Sequence, residues 1–166
     1  MTVSWSDDQR GRVEGAFTKH PLGDHRCADA AREVVVVARR EAPARSLVEA
    51  VASIGRASAR YEPWAGLYGA PAGIDILVNA TSAGMLDPDE RPAVDLDALG
   101  SGTLVADVVI APRATGLVAD ARARGLTAVE GNEMLVHQAA IGFEVWTGRP
   151  ADLPVLRAAL ADALGT

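Results

Sequence analysis

A chain of 166 residues, 49% apolar and 23% charged, is long enough to bury a core as one domain and too apolar to stay disordered. Its net charge of −6 argues against a nucleic-acid partner, because phosphate-backbone binding rests on clustered Lys and Arg. A single cysteine, Cys27, excludes an internal disulfide framework and a cysteine-built zinc cage, and no metal is expected. No run is apolar for long enough to cross a bilayer, and MTVSWSDDQRGR carries no signal core, so the expectation is a cytoplasmic protein without a membrane partner. Fifteen arginines stand against one lysine, Lys19, a bias that carries no chemistry of its own.

Residues 1–30 mix Asp, Arg, His and Gly without a sustained period, and the expectation there is an irregular leader with no assigned function. The pattern sharpens at Glu33. EVVVVARR has the β-branched content and length of a buried strand. RREAPARSLVEAVASIG predicts a helix with Leu47, Val48, Val51 and Ile54 on one stripe and Gly55 as its stop.

The alternation continues along the chain. IDILVNAT reads as a second buried strand, GTLVADVVI as a third and LTAVEG as a short fourth. RATGLVADARARG suits a helix closed by Gly125, Asn132 to Thr147 a long helix, and DLPVLRAALADAL a terminal one. Apolar strands alternating with amphipathic helices predict an α/β fold: a Rossmann-like, doubly wound parallel sheet with helices on both faces. Residues 31–166 are expected to form that domain.

Ligands of such sheets bind beyond the carboxyl ends of the strands. At the first of these ends stand Ala38, Arg39 and Arg40. An acid near this point holds ribose hydroxyls, whereas arginine accommodates a 2′-phosphate; the alternative is a pair of solvated charges opening a helix. At the second stands NATSAGM, where Asn79, Thr81 and Ser82 offer donors and acceptors without bulk and Gly84 lets the backbone approach a ligand. A turn with a helix cap explains the same residues. At the third, Asp107 lies within an apolar run and needs partners or a task.

The last candidate is GNEMLVHQAAIGFEVWTG. Met134 and Gln138, four apart, share a helix face, and Gly131 leaves room for a flat ring at the helix start. A core methionine and a surface amide would give the same spacing. His137 has a structural or exposed role.

Taken in order, these segments resemble the C-terminal NADP-binding half of the shikimate dehydrogenase family. NATSAG at 79–84, DVVIAPRAT at 107–115 and GNEMLVHQAAIGFEVWTG at 131–148 correspond to its N-A-T-S-x-G, D-x-x-Y-x-P-x-x-T and G-x-x-M-L-x-x-Q-A motifs. The resemblance covers residues 33–165. It implies NADP as cofactor, with Arg39, and Arg40 as a second candidate, on the adenosine 2′-phosphate. Asn79, Thr81 and Ser82 would line the cofactor cleft, Met134 and Leu135 would lie beside the nicotinamide, and Gln138 would bind a hydroxyl of shikimate or 3-dehydroshikimate.

The departures are specific. Ala38 stands where the family has the Asn of its clamp, and Ile110 where it has Tyr. No glycine-rich loop precedes EVVVVARR, so the first βα unit of the Rossmann fold is missing. The family's N-terminal substrate domain, with its proton-transferring Lys and Asp, has no counterpart in this sequence. Neither Lys19 nor Asp24 sits in the matching context, His20 and His25 are ordinary surface residues, and the catalytic residues are unknown. The reading is therefore an NADP-dependent oxidoreductase of shikimate dehydrogenase type, without a visible proton-transfer pair to make the isolated chain active. The alternatives are a non-catalytic NADP- or metabolite-binding module, or a truncated remnant with residues 1–30 read in another frame. The missing strand exposes an edge, which predicts self-association or a partner chain that supplies the other half.

Overall fold

The structure, a computed structural model, describes residues 2–4 (as backbone), 31–54, 57–111 and 114–165. Six strands form one sheet: β1 (Thr2–Ser4), β2 (Glu33–Ala38), β3 (Ser58–Pro63), β4 (Ile76–Asn79), β5 (Leu104–Asp107) and β6 (Thr127–Val129). Among the described residues four helices accompany them: α1 (Glu41–Ile54), α2 (Gly116–Ala123), α3 (Gly131–Thr147) and α4 (Leu153–Leu164). The strands lie in the order β3-β2-β1-β4-β5-β6. That is the 3-2-1-4-5-6 arrangement of dinucleotide-binding sheets, with the order reversing between β1 and β4.

The two halves of the sheet carry separate cores on opposite faces. Ile76 and Leu77 are consecutive and both buried, so their side chains point to opposite sides. Ile76 joins Val34, Val36 and Ala44 in one cluster, which is covered by α1. Leu77 joins Val105, Leu117 and Ala121 in the other, under α2. Burial on both faces is the reason β2 and β4 read as continuous apolar runs rather than alternating ones. On α1 the stripe differs from the predicted one. Ala44, buried, with Val48 and Val51 faces the sheet, while Leu47 is 46% exposed. The spacing i, i+4, i+7 fits the groove over β2 and β3, and Leu47 falls one residue off it.

Two strands escape the sequence pattern. β3 is half-exposed, its SARYEP alternating small, polar and aromatic residues, and it pairs in parallel with β2 over its whole length. It is an edge strand, so it lacks the apolar run that marks its neighbours.

β1 is the larger surprise. It pairs antiparallel with β2, Thr2 opposite Val35 and Ser4 opposite Glu33, and antiparallel with β4, Thr2 opposite Leu77. The expected gap at the centre of the sheet is thus occupied, at its amino end, by three residues running backwards. The sequence pattern put these three in an irregular leader; the rest of that segment, with Lys19, Asp24, His20, His25 and Cys27, lies outside the described residues. Among the described residues no helix is long and apolar enough to cross a membrane.

Candidate functional site

β4 and β5 end side by side, with Asn79 in register opposite Asp107. Both are buried, and they meet directly: Asn79 Nδ2 donates to Asp107 Oδ1 at 3.0 Å. The other carboxylate oxygen of Asp107 accepts from Thr115 Oγ1 at 2.6 Å, and Oδ1 also takes the backbone N–H of Val109 at 3.0 Å. Thr115 in turn caps α2, accepting from Val118 N at 3.5 Å. A buried carboxylate is tolerable here because three donors converge on it. Asp107 therefore has partners, and its task is to tie two strand ends to a helix start.

From this lock the NATSAG turn is built outward. Asn79 Oδ1 accepts from Thr81 N at 3.1 Å and from Thr81 Oγ1 at 2.7 Å. Thr81 Oγ1 then accepts from Ala83 N at 3.1 Å, and Met85 N closes the turn on Ser82 O at 3.0 Å. Asn79 is consequently spent within the protein, since its amide also reaches Ala83 O at 3.3 Å. Its place is beneath the turn, which it holds up. Thr81 is half-buried with its hydroxyl engaged, and Ser82 is exposed at the tip. Gly84 adopts φ +90°, which only glycine takes readily, and a Cβ there would meet Thr115 Cγ2 at 3.2 Å. The glycine lets the turn approach Thr115.

Gly131 has an equally internal reason. A Cβ on it would collide with Val109 O and lie 2.7 Å from the backbone of Val108. The start of α3 therefore rests on the backbone that leaves β5. Asn132 fastens the same contact from its side chain, with Nδ2 donating to Ala111 O at 2.9 Å. A shallow recess remains between Asp107, Thr115, Glu130 and Asn132. Thr115 and Asn132 were missed as positioning residues. Thr115 had a legible signal, an N-cap side chain just before an apolar helical run. Asn132 had none.

Past this anchor α3 presents the remaining residues. Met134 and Leu135 are half-buried and Gln138 is exposed. Met134, Gln138, Ile141 and Val145 recur at i, i+4, i+7 and i+11, one stripe along the helix. Ile141 is 39% and Val145 55% exposed, and Trp146, on an adjoining face, 86%. Met85 and Leu86, on the turn after β4, and Ile110, after β5, are exposed as well. His137 lies 3.9 Å from Glu133 and is apart from the stripe.

An ion pair links α3 to α4. Arg157 reaches both carboxylate oxygens of Glu133, at 2.9 and 2.8 Å, and this hydrogen-bonded pairing draws the Glu133 carboxyl below its ordinary range. A carboxyl with a lowered folded value stabilises above its unfolded value and loses that contribution as pH falls through the folded one. Glu133→Gln at neutral pH is expected to speed amide exchange across α4 and leave β4 and β5 unchanged. Hydrogen-exchange mass spectrometry checks this.

Arg39 and Arg40 stand at the carboxyl end of β2, both exposed, and neither takes an ion-pair partner among the described residues. Nearby cations are committed: Arg45 pairs with Glu41 at 2.6 Å and lies over the Tyr61 ring, and Arg60 is held by Glu33 and Glu62. The predicted residues therefore share one edge of the sheet, in two groups on either side of β1. Arg39 and Arg40 follow β2; Thr81, Ser82, Met134, Leu135 and Gln138 follow β4 and β6.

Residues 131–161 match the family model of the Shikimate 5′-dehydrogenase C-terminal domain. The NADP(+) shikimate dehydrogenase of Methylobacterium radiotolerans is 45% identical over 127 residues, 76% of this chain and 43% of that protein. Among solved structures, the 5-ketofructose reductase of Gluconobacter sp. strain CHM43 superposes with a TM-score of 0.78 at 36% identity, over 81% of this chain and 48% of its own. Shikimate 5-dehydrogenase from Thermus thermophilus, in complex with NADP(H) and shikimate, gives 0.61 at 28% identity, over 79% and 46%. The chain spans about half the length, or less, of the proteins it matches. With its Rossmann-like order, its NATSAG turn locked at the carboxyl edge and α3 seated beside it, the chain belongs to the shikimate dehydrogenase family, in its C-terminal portion.

Proposed function

We propose that residues 31–166 are the NADP-binding unit of an oxidoreductase that moves hydride between NADP and the C3 position of shikimate or 3-dehydroshikimate. The observation that carries this reading is the single edge shared by Arg39, Arg40, Ser82, Met134 and Gln138 beyond the carboxyl ends of the strands. The exposed guanidinia fit a 2′-phosphate, which takes forked, charge-assisted hydrogen bonds. Ser82 and Thr81 would border the ribose beside the nicotinamide, with the Asn79–Asp107 lock keeping the turn from yielding. Met134 and Leu135 give a soft apolar wall for the ring, and the Gln138 amide would select a substrate hydroxyl from the same helix face. Bound NADP supplies the hydride acceptor or donor. Proton transfer has no evident candidate here: there is no lysine among the described residues, and Ile110 brings no hydroxyl where the family has Tyr.

The test is titration with NADPH and NADH, read by nicotinamide fluorescence, with an assay for shikimate-dependent reduction of NADP alongside. The chain is expected to bind NADPH in preference to NADH. Arg39→Ala with Arg40→Ala should remove that preference, weakening NADPH roughly 10- to 100-fold while NADH changes little. With no proton-transferring group evident among the described residues, the isolated chain should give no turnover. Equal binding of the two nucleotides by the unaltered chain would sink the reading.

The stripe of Met134, Ile141 and Val145, with exposed Leu86 and Trp146, leaves apolar surface at the site edge, which supports association with a partner chain that carries the substrate half. Self-association through the same surface is the alternative. Light scattering at two protein concentrations separates them, since only self-association raises the mass of the chain on its own.

A further inference from the structure

Only Arg39 and Arg40 lie between Ala38, the last residue of β2, and Glu41, the first of α1. Both side chains are exposed, so where their guanidinia stand depends on how this short connection is held. One side chain, Tyr61 of β3, reaches both of its flanks. Tyr61 lies opposite Val36, and its phenol extends two residues along the strand, about 6.6 Å, to Ala38. There Tyr61 Oη donates to Ala38 O at 3.2 Å, and the same oxygen accepts from Trp64 N at 3.0 Å. A carbonyl oxygen has two lone pairs, and both are thus engaged. The carbonyl of Ala38 and the N–H of Arg39 belong to one planar peptide unit, so fixing the oxygen fixes the plane from which Arg39 departs. The ring of Tyr61 serves the other flank. Arg45 lies over it, 5.9 Å from the centroid, and Arg45 Nε donates to Glu41 Oε1 at 2.6 Å.

We propose that Tyr61 is a positioning residue for 2′-phosphate recognition: it braces the connection from Ala38 to Glu41 so that Arg39 and Arg40 converge on one phosphate. The inference rests on the reading of Arg39 and Arg40 as the 2′-phosphate site, and adds the residue that pre-organises it. Ala38 has no polar side chain to fix the turn from within, so the brace comes from the neighbouring strand. The bond from Tyr61 to Ala38 O is half-buried, where water competes for it less than at the surface. Holding the backbone in its bound conformation lowers the ordering cost that two long arginine side chains bring to binding. The second flank matters through charge. A loose carboxylate beside Arg40 would compete with phosphate for the guanidinium, and Arg45 keeps that of Glu41 engaged. Tyr61 acts through the arginines and not by touching the nucleotide, so its effect is confined to ligands that carry a 2′-phosphate.

The experiment titrates the full chain with adenosine 2′,5′-bisphosphate and with adenosine 5′-monophosphate, by calorimetry. Four forms are compared: the unaltered chain, Tyr61→Phe, Arg39→Ala with Arg40→Ala, and all three substitutions together. Phenylalanine keeps the ring under Arg45 and removes only the hydroxyl. Tyr61→Phe should weaken the bisphosphate about three- to tenfold, near the worth of one hydrogen bond, and leave the monophosphate unchanged. In the double-arginine background it should weaken neither ligand, because the residues through which it acts are gone. Equal weakening of both ligands by Tyr61→Phe would mean a structural role alone and overturn the proposal. So would the same loss of bisphosphate affinity with and without the two arginines. If the unaltered chain bound the two ligands equally, the nucleotide reading would fail and this inference with it. A preference that vanishes without the arginines but survives Tyr61→Phe would sink the inference alone.

Discussion

Asp107→Ala should lower the thermal midpoint by roughly 10 °C, the largest effect expected of any single substitution at the site. Asp107 is 3% exposed and receives Asn79 Nδ2, Thr115 Oγ1 and Val109 N. Alanine removes the charge and strands three buried donors at once. Leaving a buried donor without its acceptor costs about 1–3 kcal/mol, so three together cost at least about 3 kcal/mol. Asp107→Asn is the informative companion. It keeps the shape and one acceptor oxygen but turns an N–H₂ toward Thr115, whose hydroxyl already accepts from Val118 N. Its cost should be about 1–2 kcal/mol, within the range for one compromised hydrogen bond. Differential scanning calorimetry of the two variants decides the matter: equal, small effects would mean that the lock is not what holds the strand ends together. A loosened lock should also weaken NADPH binding, because the Thr81–Ser82 turn hangs from Asn79.

Gly131→Ala should cost about 3 kcal/mol, at the upper end of what overpacking does. The added methyl would collide with Val109 O and sit 2.7 Å from Val108 backbone atoms. Main chain cannot rotate aside as a long side chain can, so α3 must shift away from β5. The shift would carry Met134, Leu135 and Gln138 with it and pull Asn132 from Ala111 O. Two measurements should therefore move together, the melting midpoint and the affinity for NADPH. Gly116→Ala is the contrast. There the Cβ meets the end of the exposed Arg91 side chain, at 2.8 Å, and that guanidinium can swing into solvent. Its cost should be small. If the two glycine variants melted alike, crowding against Val108 and Val109 would not be the reason for Gly131.

Elements whose burial is uniform along their own length were legible from the residues alone. EVVVVA and ILVN declare buried strands because both of their faces are covered, and the helices declare themselves through caps and glycine stops such as Gly125, Gly148 and Gly165, each at positive φ. The NATSAG, DVVIAPRAT and GNEMLVHQ segments carried the family, and the shared sheet edge followed from their positions at strand ends. Whatever depends on what an element meets was settled by the folded chain. β3 was illegible because an edge strand is buried on too little of its surface to leave an apolar run. Leu47 was misassigned because the groove over the sheet, not the helix period, selects Ala44, Val48 and Val51. Gly84, Gly131 and Asn79 suggested ligand contact, and the folded chain shows that each also meets a neighbour distant in sequence: Thr115, Val109 and Asp107. β1 was beyond local reading altogether. Three residues hold too little pattern to announce a strand, and only the hydrogen-bonding flanks of β2 and β4, far along the chain, give them a direction.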